Sequence, residues 1–386
     1  MPRYIGFDAH KSYAYVAELR EDGKRLDYRV ALPDGLPGFK QRLGSDCQLV
    51  LEASTNTFRL VDELRPHVGK IVVSDPAQTR GAISRPATTD RNAAEALARL
   101  LASDFVRPVW VPPQEIRSLR SLVELRVRLA RQHTTAVNRI RALLRQELIP
   151  GRPALVEEQV RAKIGSDPSQ QAYCSSLFRL RDLVREECER VDGVLHAWCR
   201  ESKDARLLMS ITGVGPLVAA CLVAQIGDIK RFPSARKLCS YAGLVPRVHS
   251  SGQTHRSGGI SKMGRRTLRW AMGMAAMSAA RANAPLAEFK ANLCERRPKA
   301  VAMVACARKL LAVVWRVWTA GKPYEGQDAE RYSRKLARLD RGKDCAPHPE
   351  GDGESKEVER KPRAGRRRRD QENKSKEPGV TTPTTL

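Results

Sequence analysis

The feature that most constrains this chain is a short apolar run that ends in a carboxylate. Tyr4, Ile5, Gly6 and Phe7 lead directly into Asp8, within a stretch from Arg3 to Lys11. A run of that length reads as a buried strand with its acid held at the edge. A second run, Gln48 to Leu51, ends in the same way at Glu52. A third acid, Asp90, opens a stretch to Ser103 in which Ala94, Leu97, Ala98 and Leu101 fall on one helical face, with Thr89 or Asp90 as the cap. Each acid read alone is equally a strand or helix end before a turn.

Between these runs lie the other parts of a layered α/β fold. Residues 13–18 and 25–32 flank Glu21, Asp22, Gly23 and Lys24, a hairpin turn signal. Residues 58–65 form a short amphipathic helix stopped by Pro66, and Lys70 to Ser74 is a further buried strand. Strand, hairpin, strand, helix, strand, helix is the order of a ribonuclease-H-like mixed sheet, assigned to residues 1–108. Such a sheet would bring Asp8 and Glu52 together on adjacent strands and Asp90 in beside them. Hard divalent cations take oxygen ligands of this kind, and Mg²⁺ keeps waters that leave room for phosphate oxygens.

The rest of the chain reads as helical. From Pro112 and Pro113, apolar residues recur at helical steps through Ile116, Leu119, Val123, Val137, Ile140 and Leu144. A second run passes through Leu177, Val184, Val191 and Leu195. Two long helices with narrow seams define a coiled-coil arm over residues 112–204. Their outer faces are expected to carry Arg117, Arg120, Arg126, Arg128, Arg131, Arg139, Arg141 and Arg145. Residues 205–325 read as a compact helical domain, and Gly243 to Gly264 within it as an irregular loop. From residue 326 the composition turns to charged residues, Pro and Gly, with Arg366 to Arg369 unbroken, which predicts a disordered tail.

Composition narrows the partners. The formal charge is +26, from 69 Lys and Arg against 43 Asp and Glu, so polyanions lead, nucleic acid ahead of membrane. The 9 cysteines show neither a paired spacing nor a zinc pattern, which fits reduced cytoplasmic thiols. With neither a signal peptide nor a membrane-length apolar run, the expected location is the cytoplasm, on the nucleoid.

Two later stretches have chemistry of their own. Gly213, Val214 and Gly215 stand between two helices, either to aim backbone N–H groups at a phosphate or to make a tight turn. Ser250 and Ser251 sit in the Gly/Ser-rich loop with Arg247, Arg256, Lys262, Arg265, Arg266 and Arg269 around them. A serine hydroxyl needs a base or metal to take its proton, and cations to hold phosphoryl charge. A basic loop that only contacts DNA has the same composition.

Taken together, these stretches resemble the DEDD transposases of insertion sequences, the bridge-RNA-guided recombinases with a RuvC-like N-terminal domain and a C-terminal serine domain. The matching residues are Ile5 to Asp8, Leu51 to Ala53, Thr89 and Asp90 with residues 94–101, Gly213 to Pro216, Ile226 to Asp228 with Phe232, and Tyr241 to Leu244. Pro246, residues 250–252, residues 259–262, Gly264 and Arg269 complete the set. The resemblance implies Asp8, Glu52 and Asp90 as Mg²⁺ ligands and Ser251, with Ser250 as the alternative, as a nucleophile that forms a 5′-phosphoserine link to DNA. It also implies a structured guide RNA, DNA element ends and target, and a dimer or tetramer. One position departs: the family's fourth acid falls at Ala93, which cannot ligate a metal. A catalytically disabled nucleic-acid-binding homologue, and a metal-dependent junction nuclease without a covalent intermediate, are the competing readings.

Overall fold

The structure is a computed structural model. It describes residues 2–20, 23–76, 89–150, 158, 160, 167–251, 254–326 and 328–342, with the backbone alone for 248–251 and 254–257. The first strand, β1 (Arg3–Ala9), is central to a five-stranded sheet. On one side it pairs antiparallel with β2 (Tyr13–Arg20), which pairs with β3 (Arg25–Ala31). On the other it pairs parallel with β4 (Cys47–Glu52), which pairs parallel with β5 (Lys70–Ser74). The sheet order β3-β2-β1-β4-β5 is compatible with a DEDD nuclease-like fold.

Side-chain alternation assigns the two faces of this sheet. Ile5, Phe7, Leu49 and Leu51 bury against Leu36 and Phe39 of the short helix Leu36–Gln41, and against Leu60, Val61 and Leu64 of the helix Thr57–Leu64. Tyr4 and Val50 face the other way, onto Leu97 and Leu101 of the helix Asp90–Ala102. Gly6 lies on that second face. A Cβ there would stand 1.9 Å from the carbonyl oxygen of Ala94, so only glycine lets the helix backbone settle on the strand.

Two long helices, Gln114–Gln146 and Pro168–Glu201, run antiparallel. Leu119 and Val123 join Val191, Leu195 and Cys199 in one cluster, while Ile140, Leu143 and Leu144 meet Cys174, Leu177 and Phe178 in another. The expected Arg-rich outer face is corrected at two positions. Arg120 and Arg126 are buried, because each has polar partners inside. Arg126 grips Asp192 of the facing helix through two bonds of 2.8 Å. Arg120 donates to the carbonyls of Ala224 and Gln225, at 2.6 and 3.2 Å, at the end of the helix Pro216–Ile226. Burial pulls the Arg120 guanidinium down to about 10.

The helical region after residue 203 packs around Pro216–Ile226, whose residues from Ala219 onward are almost all buried. Arg266–Ala282 and Lys299–Ala320 flank it in the same core. Two expectations fail here. The loop expected over Gly243 to Gly264 contains a two-stranded hairpin, β6 (Pro246–Ser251) and β7 (Thr254–Ile260). The tail expected from residue 326 begins with a helix, Ala329–Asp340, capped by Asp328. Leu339 is buried in the main core, and Lys335 donates to the carbonyls of Met209, Ile211 and Val214 at 2.8, 3.1 and 3.0 Å. Its charge-rich sequence hid one apolar face. Arg366 to Arg369 lie outside the described residues. Among the described residues no helix is long and apolar enough to cross a membrane, and all described cysteines are free thiols.

Candidate functional site

The acidic edge forms where β1 ends beneath the start of the Asp90–Ala102 helix. Thr89 caps that helix, its side chain accepting from the Asn92 N–H at 3.3 Å. Its outer side is tied to the sheet by charge. Arg91 reaches Asp27 on β3 at 2.9 to 3.0 Å, and Arg25 pairs with both Asp27 and Glu95. These partners hold the Asp27 carboxyl below its usual range, the Arg25 hydrogen bond being the main cause. Glu95 is taken up by Arg25 and Arg99, so it does not stand in for the acid missing at Ala93.

With Gly6 and these ties fixing the helix, Asp90 arrives beside Asp8. The ligand atoms of Asp8, His10 and Asp90 all lie within 4.8 Å of one another. His10 Nε2 stands 3.3 Å from Asp8 Oδ2 and 3.4 Å from Asp90 Oδ2. That nitrogen is sealed from solvent, and none of its neighbours is aligned to hydrogen-bond it. Asp8 is buried, and burial raises its carboxyl above the usual range against the pull of His10. The Tyr13 hydroxyl donates to Asp90 Oδ2 at 2.6 Å, which raises the phenol's own pKa.

Glu52 ends β4, one strand over. The parallel register pairs Phe7 with Leu51, so Asp8 and Glu52 occupy the next position on neighbouring strands and share the face toward the Asp90 helix. Glu52 is not among the three clustered ligands. Sequence reasoning missed His10. The signal was its i+2 spacing from Asp8, but β1 ends at Ala9, so strand alternation alone does not return His10 to the site. Two backbone bonds do so. The His10 N–H donates to Tyr13 O at 2.8 Å, and Asn56 Nδ2 donates to His10 O at 3.2 Å.

An orphaned buried nitrogen between two carboxylates, one of them raised by burial, fits a divalent cation. Asp8 and Asp90 would supply oxygen to such an ion, and His10 is the nitrogen within reach of both.

The later stretches divide differently. Gly213 has φ +89°, and a Cβ there would lie 2.4 Å from Ala275 O of the Arg266–Ala282 helix. Its glycine is therefore required by packing. Gly215 is open, preceding the helix that starts at Pro216. Ser250 and Ser251 end β6, with Ser251 opposite Thr254, in a sheet separate from that of Asp8. Arg247, Lys262 and Arg266 are exposed. Arg265 donates to Tyr241 Oη at 3.0 Å and Arg269 to Ala242 O at 2.9 Å, so both tie the start of their helix to the end of the helix Ala235–Tyr241. The Arg256 side chain lies outside the described residues.

A mixed sheet with acids gathered at the end of its central strand, joined to a basic helical region, is the build of a nuclease-like DNA transposase. A transposase model of the IS110 DEDD type matches residues 5–149, and the model "Transposase IS116/IS110/IS902 family" matches residues 205–291. The chain belongs to this family of insertion-sequence transposases. It is 30% identical over 246 residues to the transposase for insertion sequence element IS1111A of Coxiella burnetii, covering 61% of this chain and 68% of that one. It is 29% identical over 238 residues to a probable family 20 transposase of Pseudomonas aeruginosa, covering 58% and 70%. Over 124 residues it is 34% identical to the pilin gene-inverting protein of Moraxella bovis, 31% of this chain and 38% of that one.

Proposed function

We propose that the chain cuts and rejoins DNA with two sets of residues, the acids at the end of β1 and the serine of the β6 hairpin. The observation that carries this reading is the convergence of buried Asp8 and half-exposed Asp90 on one spot. Asp8, Glu52 and Asp90 hold a divalent cation, Mg²⁺ by the family resemblance. When bound, such an ion stabilises charge on a phosphate oxygen as a Lewis acid. Ser251 Oγ attacks the scissile phosphorus and forms the Ser–O–P bond as the P–O3′ bond breaks, and the serine proton ends on the departing 3′-oxygen. A 3′-hydroxyl leaves and the 5′ end stays on the serine. The exposed Arg247, Lys262 and Arg266, together with Arg256 and the Gly215 turn, take the DNA backbone. Arg265 and Arg269 set the shape of that surface. A structured guide RNA supplies sequence specificity. Two or four copies on the bacterial nucleoid bring the serines of one copy and the acids of another to a shared bond.

The test is a covalent adduct. Full-length protein incubated with 3′-labelled element-end DNA should retain label through denaturation. Ser251→Ala should abolish the adduct and Ser250→Ala should leave it. An adduct that persists in Ser251→Ala removes Ser251 from the role. Cutting without any adduct, still dependent on Asp8, makes the chain a metal-dependent junction nuclease.

A further inference from the structure

We infer that His10 is itself a metal ligand, and that its nitrogen makes the centre prefer a later first-row divalent ion over Mg²⁺. The inference rests on Asp8 and Asp90 being metal ligands, as proposed above.

Spacing is the first argument. Donor atoms about 2.0 to 2.2 Å from one ion stand roughly 3 to 3.4 Å apart at neighbouring positions. His10 Nε2 already stands 3.3 and 3.4 Å from one oxygen of each acid.

Direction is the second. Nε2 is within reach of two carboxylates, at 3.3 and 3.4 Å, and forms a well-aligned hydrogen bond with neither. A buried nitrogen without a hydrogen bond costs free energy. Ligands around a common ion have this geometry, because each lone pair points at the ion and past its neighbours.

Support around the ligands is the third. His10 is held by its own backbone bonds to Tyr13 and Asn56, and its ring packs 4.8 Å from the ring of Tyr13. The Tyr13 hydroxyl fixes Asp90 as well. Hydrogen-bonded outer partners of this kind orient metal ligands. A donor from the β1–β2 turn also offsets the one that Ala93 cannot provide.

The chemical consequence follows from donor type. Mg²⁺ favours carboxylate, carbonyl and water oxygens, whereas imidazole nitrogen favours the later transition ions. Exchanging one carboxylate for a neutral imidazole also makes the centre less negative, which weakens Mg²⁺ further.

The experiment titrates Co²⁺ and Mg²⁺ separately into the full chain by calorimetry, using wild type, His10→Ala, His10→Gln and Asp8→Asn. A ¹⁵N-histidine NMR spectrum of the Co²⁺-loaded protein gives a readout independent of activity. The expected result is that wild type binds Co²⁺ more tightly than Mg²⁺, and that His10→Ala reduces that ratio about tenfold or more. One imidazole should show a large paramagnetic shift that is absent in His10→Gln. A ratio unchanged in His10→Ala, or a shifted imidazole that survives it, overturns the assignment of His10 while leaving a metal site of acids. Wild type that binds neither ion, or Asp8→Asn that binds both as wild type does, instead removes the metal centre. Thermal unfolding without metal separates lost ligands from lost fold.

Discussion

Gly6 and Gly213 solve the same packing problem with different consequences. Each lets a helix backbone approach closer than any side chain would allow, Ala94 O at 1.9 Å from the imagined Cβ in one case and Ala275 O at 2.4 Å in the other. Beneath the Asp90 helix, the approach delivers a carboxylate to another carboxylate and a histidine. Beneath the Arg266 helix, it closes a core. A glycine that seats a helix is therefore informative about function only when the helix end it positions carries a reactive group.

The largest effect is expected of Gly6→Ala. The added carbon collides with backbone, so the helix must lift, at about 3 kcal/mol or more. Denaturant melts should show that loss, and metal binding should vanish with it. Gly213→Ala, with positive φ and a similar collision, should cost about 2 to 3 kcal/mol in melts. Metal affinity of the folded fraction should be unchanged, and a loss there would erase the distinction between the two glycines.

Next in size is Lys335→Ala. It strips a donor from three carbonyls around the Gly213 turn and should cost about 1 to 3 kcal/mol. Burial pulls the Lys335 ammonium down from 10.5 to about 8. Between those values the unfolded chain holds a proton that the folded protein has released, so this group adds stability as pH rises through that window. The stability gap between wild type and Lys335→Met should widen from pH 8 toward pH 10.5, and a narrowing gap contradicts this.

The smallest effect is expected on the other region. Asp27→Asn frees Arg25 and Arg91 and should cost under about 1 kcal/mol. The depressed Asp27 carboxyl contributes above the ordinary carboxylate pKa, and that contribution is lost as pH falls through its lower folded value. The wild-type advantage over Asp27→Asn, followed by melts of the Asp90 helix, should disappear in acid.

Much of this was legible in residues. The apolar runs into Asp8 and Glu52, and the period of Ala94, Leu97, Ala98 and Leu101, give the sheet and its helix directly, because burial fixes their pattern. Ser251 was legible as a residue type, but the hairpin around it was not. Residues 246–260 are polar and glycine-rich, and pair by backbone bonds that composition does not encode. The Ala329–Asp340 helix was hidden by its surface charge. His10 was hidden because a turn places it, through contacts with Tyr13 and Asn56 that sequence separation conceals. Arg120 and Arg126 were misassigned to a surface because their carbonyl and carboxylate partners lie on other helices.

In the proposed reaction β1 and the Asp90 helix act on one ion during DNA cleavage. The direct measurement is the metal-dependent cleavage rate of element-end DNA by Asp8→Asn, Asp90→Asn and the double variant. If both carboxylates serve one centre, each single change should lose on the order of 10³ in rate, and the double should lose no more than the worse single. Losses that multiply in the double variant, or a single variant that cuts as wild type does, would contradict it.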